Sequence, residues 1–259
     1  MRISVHMSTK IKQLQRQSQE TPILFAAWMD QQGIARSEMA DLVGRSWLRR
    51  IASGVYCFDG YTPTLPAVLY SYRKLLGKKY VLGASTALEL RGFSHFGHMG
   101  EEPIFLYEPV GDHIPTWLQT GNLLGDLRFF STNLFNGSDL GIELMEVGGY
   151  YVYVSSPERA ILEALNLTPR YHSLIDIYYV AEMLTTLRPG VLQQLLESSR
   201  SVKVNRLLLY FADKAQLPWL KQLDTTKVHL GKGTRALATP GIYVDKYQIT
   251  IPQELYDYE

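Results

Sequence analysis

Residues 21–60 read TPILFAAWMDQQGIARSEMADLVGRSWLRRIASGVYCFDG, and the remaining segments are best placed by working outward from them. Thr21 is positioned to cap a helix: its hydroxyl can accept an orphan backbone N–H, and Pro22 suits the first helical position because it has no N–H to leave unpaired. Leu24 and Trp28 stand four apart, as do Ile23 and Ala27, which draws one apolar stripe along that helix. Gly33 ends it, since glycine enters the left-handed conformation at little cost. The next helix is expected from about Ser37 to Gly44, with Met39, Leu42 and Val43 inward. Trp47–Ile51 and Val55–Phe58 are β-prone runs joined by Ala-Ser-Gly, the pattern of a hairpin. Upstream, Ser8–Gln19 places Ile11 and Leu14 on one face of a first helix. Three helices followed by a hairpin is the order of a winged helix-turn-helix, with its core at about residues 8–62.

Such a unit reads duplex DNA by laying one helix in the major groove while the wing and the preceding helix hold phosphates. The candidate contacts are Arg36 and Ser37 at the start of the third helix, Arg45 and Ser46 at its end, and Arg49 and Arg50 in the hairpin. A helix N-terminus offers backbone N–H groups to a phosphate. In a regular strand Arg49 and Arg50 face opposite ways, so one of the two lies on the DNA side. The charge map agrees in sign: residues 1–62 hold eight Lys or Arg against five Asp or Glu. Replacement of this contact by a protein partner is the competing reading of the same unit.

Beyond it, Thr64–Gly77 is amphipathic and Ala84–Leu90 forms a short helix ending at Gly92. Pro103–Glu108, Leu127–Thr132, Ile142–Val147 and Tyr150–Val154 are short β-like runs, and Gly148-Gly149 marks a tight hairpin between the last two. Helices then return. Ser156 caps one starting at Pro157, Ser173 and Asp176 resemble a capping box, Pro189 opens a third, and Val204, Leu208, Phe211 and Ala215 stripe a fourth. Lys227–Leu230 and Tyr247–Ile251 read as strands. Without regular β-α-β alternation the class is α+β. The expected division is an N-terminal domain at 1–94, the winged core plus a helical extension, and a mixed α+β C-terminal domain at 95–259.

Composition bounds the function. Apolar residues make up 46% and charged residues 20%, which suits a folded globular chain. No apolar run approaches the ~20 residues that span a bilayer, and no secretory leader opens the chain, which could equally start at Met7. Cys57 is the only cysteine, so an intramolecular disulfide is impossible and a packed, inert thiol is expected. These features point to the cytoplasm. Net charge is +1, yet residues 200–235 hold eight basic residues against two acids, Asp213 and Asp224. That asymmetry fits a polyanion or an acidic protein face.

Within the C-terminal part, Ser155-Ser156-Pro157-Glu158-Arg159 reads either as an anion site beside Arg159 or as a capped helix. Asn205 and Arg206 precede an apolar stripe. Arg206 and Lys214 are expected to be exposed, with Lys232 and Arg235 on a following hairpin. Gly231-Lys232-Gly233-Thr234-Arg235 resembles a phosphate-cradling turn but lacks P-loop spacing. His95 and His98 have no companion ligands at metal spacing, so neither a metal nor another cofactor is expected. An enzymatic alternative, a metal-dependent nuclease or transferase, would use Glu143, Glu146 or Glu158; Glu143 and Glu146, three apart in a strand, point to opposite faces.

Several blocks together resemble the AbiEi antitoxins of type IV toxin–antitoxin systems. They are Ala26–Gly60; GASTALELRGFSHFGHMGEEPIFLYEP at Gly83–Pro109; VYVSSPERAILEAL at Val152–Leu165; Val204–Arg235; and YQITIP at Tyr247–Pro252. The resemblance spans nearly the whole chain. It implies a DNA-binding winged helix that represses its own operon through operator DNA with inverted repeats. It implies as well a C-terminal antitoxin domain that counteracts a nucleotidyltransferase-class toxin, a place in phage defence, and no enzymatic activity. In the type IV scheme the antitoxin need not bind the toxin. On that reading the antitoxin surface comprises Arg159, Asn205, Arg206, Lys214, Lys232 and Arg235. The chain departs from the family at its third helix, which carries Glu38 and Asp41 where members often carry bases. Either those carboxylates point away from phosphate, or Glu38 reads a cytosine amino group, or DNA binding is weak.

Overall fold

The computed structural model describes Lys12, Leu14, Arg16 and residues 21–94, 102–108, 111, 113–120, 122–131 and 133–258. It divides into two compact units. The first comprises residues 1–80, 113–127 and 144–153; the second comprises 81–112, 128–143 and 154–259.

In the first unit Lys12, Leu14 and Arg16 are helical and Leu14 is buried. The expected cap at Thr21 is not found. Ile23–Phe25 is a strand, β1, and the helix α1 begins only at Ala26, running Ala26–Gln31. The reason is tertiary. Ile23, Leu24 and Phe25 are all buried and pair antiparallel with the hairpin, Ile23 opposite Cys57 and Phe25 opposite Val55. Burial of three large apolar side chains, each worth about 1.5–3 kcal/mol, outweighs the local capping preference. Gly33 then turns the chain with φ of 77°, and Ile34 N–H donates to Met29 O at 3.0 Å. The helix α2 spans Arg36–Gly44 and buries Met39 and Leu42. Strands β2, Leu48–Ala52, and β3, Val55–Phe58, form the hairpin, with a register irregularity between Arg50 and Ala52. The sheet order is β1-β3-β2.

Helix α3, Leu65–Leu76, follows; Pro66 stands in its first turn and Gly77 ends it in the left-handed conformation. Its Ser71 hydroxyl donates to Ala67 O at 2.8 Å and accepts the buried N–H of Ile23 at 3.3 Å, so the helix satisfies a donor on the edge strand β1. Residues 113–127 add the short helix α5, Thr116–Thr120, whose Trp117 donates to Tyr72 Oη at 2.9 Å.

The second unit contains β4 (Val81–Leu82), helix α4 (Ala84–Glu89) and β5 (Ile104–Glu108), with β4 and β5 antiparallel. Most of β6 (Leu127–Ser131) also falls in this unit, whereas most of β7 (Ile142–Val147) and β8 (Tyr150–Ser155) falls in the first, and the strand order of the sheet is β6-β5-β4-β8-β7. Gly148 and Gly149, at φ of 57° and 83°, turn the β7–β8 hairpin as its two-residue loop requires. Four helices follow: α6 (Pro157–Leu167), α7 (Leu174–Met183), α8 (Pro189–Ser198) and α9 (Val202–Lys214). Ser156 caps α6, accepting from Arg159 N, and Ser173 caps α7, accepting from Asp176 N. Val204, Leu208 and Phe211 are buried as their spacing predicts.

Lys227–Leu230 is not a strand. Thr225–Lys227 is a 3-10 turn, and the carbonyls of His229 and Leu230 are taken by side chains of α9. The last sheet joins β9 (Arg235–Ala236), β10 (Ile242–Val244) and β11 (Ile249–Ile251) in the order β10-β11-β9, with β9 parallel to β11. Arg235 therefore lies in a parallel pairing and not on a hairpin. A short helix α10, Gln253–Asp257, closes the chain. The class is α+β. Among the described residues no helix is long and apolar enough to cross a membrane.

Candidate nucleic-acid interface and buried polar networks

The first unit exposes all six expected contact residues: Arg36, Ser37, Arg45, Ser46, Arg49 and Arg50. They occupy two places, the ends of α2 and the strand β2 that follows it. The two hairpin arginines are ordered differently. Arg49 Nη2 donates to Tyr61 O at 2.8 Å, whereas Arg50 Nε donates to Ala52 O at 3.2 Å. Both keep other N–H groups for an outside acceptor, since a guanidinium has five. Arg49 and Arg50 stand in regular register opposite Cys57 and Tyr56 on the edge strand β2, so they point to opposite faces, and both are exposed.

The N-terminus of α2 is already partly occupied. Glu38 Oε2 accepts the Ala35 N–H at 2.8 Å, so the carboxylate turns back on its own helix end, where the dipole favours it. This helix end thus offers an anion fewer free donors than its bare position in sequence implied. Asp41 is exposed, and so is Trp47, at 41%. Cys57 is buried, and that burial pushes its thiol up, so the thiol stays protonated and inert.

In the second unit the residues expected on one surface do not share one. Arg159 is 8% exposed. Its Nε meets Glu163 Oε1 at 2.8 Å, and Nη1 donates to Ser138 O and Leu140 O at 2.8 and 2.9 Å. The fully buried Glu163 also accepts from Ser155 Oγ at 2.8 Å and Ala84 N at 3.1 Å. Burial raises the Glu163 carboxyl, against the pull of Arg159 and those donors. Gly83 is what lets the chain pass this carboxylate: a Cβ there would stand 2.5 Å from Glu163 Oε2. Arg159 is therefore the cation of a core network. The i,i+4 spacing of Arg159 and Glu163 was a signal in the sequence that pairing alone could have flagged.

Asn205 and Arg206 are buried as well, correcting the expected exposure of Arg206. Asn205 Nδ2 donates to His229 O at 3.0 Å. Arg206 Nε donates to Leu230 O at 2.7 Å, and Nη1 to Gly233 O at 2.6 Å and Gln248 O at 2.9 Å. The glycine turn at 231–233 thus receives a guanidinium of its own chain. Lys214 is half-buried and donates to the carbonyls of Tyr256 and Tyr258. Lys203 donates to Asn166 O and Thr168 O at 2.9 and 2.7 Å. Of the six expected surface residues only Lys232 and Arg235 are exposed.

The carboxylates of the enzymatic alternative are engaged by arginines. Arg188 Nη2 lies 2.8 Å from both Glu143 Oε1 and Glu158 Oε2, and Arg188 N donates to Glu158 Oε1 at 2.8 Å. Arg91 holds the other oxygen of Glu143 at 3.3 Å. Burial alone would raise Glu158, but the Arg188 side-chain and backbone bonds outweigh it and hold the carboxyl down to about 2. Glu146 is exposed. Among the described residues no cluster of three or more His, Cys, Asp or Glu has metal-binding geometry. His95 and His98 lie outside the described residues.

Two family models match the chain. One, described as "Transcriptional regulator, AbiEi antitoxin N-terminal domain", covers residues 7–99. The other, described as "Transcriptional regulator, AbiEi antitoxin, Type IV TA system", covers residues 101–252. Among solved structures, that of the RV2827C protein from Mycobacterium tuberculosis resembles the chain with a TM-score of 0.63. The likeness spans 94% of this chain and 90% of that one at 15% identity, and so is one of fold. No curated protein matches the chain.

Proposed function

The chain belongs to the AbiEi antitoxin family, transcriptional regulators of type IV toxin–antitoxin systems, and from that membership we propose that its first unit is a winged helix-turn-helix that binds the operator of its own operon. One observation carries the reading. The helical residues Lys12, Leu14 and Arg16, then β1, α1, α2 and the β2–β3 hairpin, follow in winged-helix order, with the sheet arranged β1-β3-β2 and Arg36, Arg45, Arg49 and Arg50 all exposed. In this reading α2 enters the major groove and the hairpin is the wing. Binding to inverted repeats represses transcription of the toxin and antitoxin genes together. The second unit counteracts a nucleotidyltransferase-type toxin in the cytoplasm, and the protein acts without cofactor or catalytic chemistry.

The self-capped Glu38 fits this arrangement, because a carboxylate bound to its own helix end repels phosphate less than a free one. The test is titration of labelled DNA from upstream of the gene at several salt concentrations. Specific binding is expected, with a steep salt dependence. Arg49→Ala with Arg50→Ala should reduce the slope by about one unit, because one of the two faces the DNA and each phosphate contact contributes about 0.9. Unchanged slope and affinity would remove the wing assignment. A second reading, a winged unit that binds a protein partner, is favoured by Asp41 and Trp47 on the exposed side. Absence of any DNA binding would select it.

A further inference from the structure

Between Gly60 and Leu88 the chain carries Arg73, Lys74, Lys78 and Lys79 and not one Asp or Glu. Arg73 and Lys74 stand in the last turn of α3, where cations suit the helix dipole. The dipole does not explain how these cations are arranged. The Arg73 guanidinium lies over two tyrosine rings, 5.3 Å from the centroid of Tyr70 and 5.8 Å from that of Tyr153. Lys74 Nζ lies 5.8 Å from the Tyr70 ring and Lys79 Nζ 5.4 Å from the Tyr153 ring. Tyr70 in turn packs on Tyr150, with centroids 5.4 Å apart. The Tyr150 hydroxyl is 3.2 Å from that of Tyr61, and Tyr61 O is the acceptor of Arg49 Nη2. All of these residues belong to the first unit. An unbroken file of contacts therefore runs from the hairpin arginine through three tyrosines to a cluster of cations.

We propose that this cation–tyrosine file is a second phosphate-contact surface, which carries duplex DNA beyond the hairpin and lengthens the operator footprint. The proposal rests on the DNA-binding reading above. The file begins at the hairpin, so a duplex held there continues towards it. Among the described residues Arg73 and Lys74 form no ion pair; Lys74 is exposed and Arg73 is half-buried with its Nε inward, so an outside anion would meet the Lys74 ammonium and the outer part of the Arg73 guanidinium. Stacking on tyrosine faces holds the long stems in place before DNA arrives, so less rotamer freedom is lost on contact. A set of cations positioned by rings suits backbone phosphates, contacts that add affinity without sequence choice.

The experiment compares two upstream duplexes: the shortest fragment that the full chain still binds, and the same fragment extended by about one helical turn, 10 bp, at each end. The variant combines Arg73→Gln, Lys74→Gln and Lys79→Gln, which keeps much of each stem. Its fold is checked by circular dichroism, and the single exposed change Lys74→Glu serves if the triple variant does not fold. On the extended duplex the triple variant should lose one to two units of salt slope, at about 0.9 per phosphate, and its hydroxyl-radical footprint should shorten. On the short duplex it should match the parent. A variant equal to the parent on both duplexes, while Arg49→Ala with Arg50→Ala weakens both, overturns this surface and leaves the operator reading standing. Equal loss on both duplexes also overturns it, since the effect would then be a general field and not an extension. A parent chain that binds neither duplex overturns the operator reading, and this surface with it.

Discussion

Arg206→Met should cost the protein about 2–4 kcal/mol of stability, and the figure follows from which carbonyls the guanidinium leaves behind. The side chain is 2% exposed and donates to Leu230 O, Gly233 O and Gln248 O, with no carboxylate among its hydrogen-bond partners. Methionine fills much of the space but supplies no donor. A buried acceptor stripped of its partner costs roughly 1–3 kcal/mol, and hydrogen bonds to a charged donor lie at the upper end of the usual range. Residues 233 and 248 are exposed, so their carbonyls regain water in part, and Gln248 O also keeps the Arg235 N–H, whereas Leu230 is half-buried. The sum is therefore held to one full penalty and two partial ones. Against a total stability of about 5–15 kcal/mol this is a large fraction. Urea unfolding should show a lower midpoint at an unchanged m-value. Hydrogen exchange should locate the damage: the N–H groups of Arg235 and Leu237, bonded to Gln248 O and Thr250 O at 3.0 and 2.8 Å, should lose protection first. Arg206→Lys should recover only part, because one ammonium cannot reach carbonyls from separate turns. A Met variant within about 0.5 kcal/mol of the parent, the range of ordinary surface changes, would refute the claim that this arginine holds the C-terminal turns together.

Two further outcomes are expected. The Glu158 carboxyl is lowered from 4.5 to about 2, so its ion pair with Arg188 contributes stability above pH 4.5 that is lost as pH falls towards 2. Arg188→Gln should remove that contribution, leaving a variant less stable at neutral pH with a flatter acid limb; parallel denaturation curves from pH 7 to pH 2 would contradict the pairing. Lys232→Ala with Arg235→Ala, the exposed remainder of the expected antitoxin surface, should leave folding and operator binding intact. Each change should cost under about 0.5 kcal/mol, and the variant should fail to rescue cells that express the partner toxin. Rescue equal to the parent at equal expression would place the antitoxin determinant elsewhere.

The sequence was legible where the signal is local and silent where the partner is distant. Gly33, the Ala-Ser-Gly turn, Gly148-Gly149 and the caps at Ser156 and Ser173 each act within a few residues, and the elements they bound lie where their spacing placed them. Ile23–Phe25 reads as helix in the sequence because the residues that make it a strand, Val55–Cys57, are remote in sequence and have no local trace. The same physics governs the basic window at 200–235. Its charge excess is real, but Lys203, Arg206 and Lys214 spend their donors on carbonyls of turns, helix ends and the chain end. A turn-rich segment leaves backbone acceptors that must find donors, and long cationic side chains can reach them. Charge asymmetry therefore predicts a binding face only after the segment's own carbonyls are satisfied. By that measure the window contributes Lys232 and Arg235 to the surface, while Arg73 and Lys74, in a stretch with only four basic residues, are held on tyrosine faces with no ion pair among the described residues.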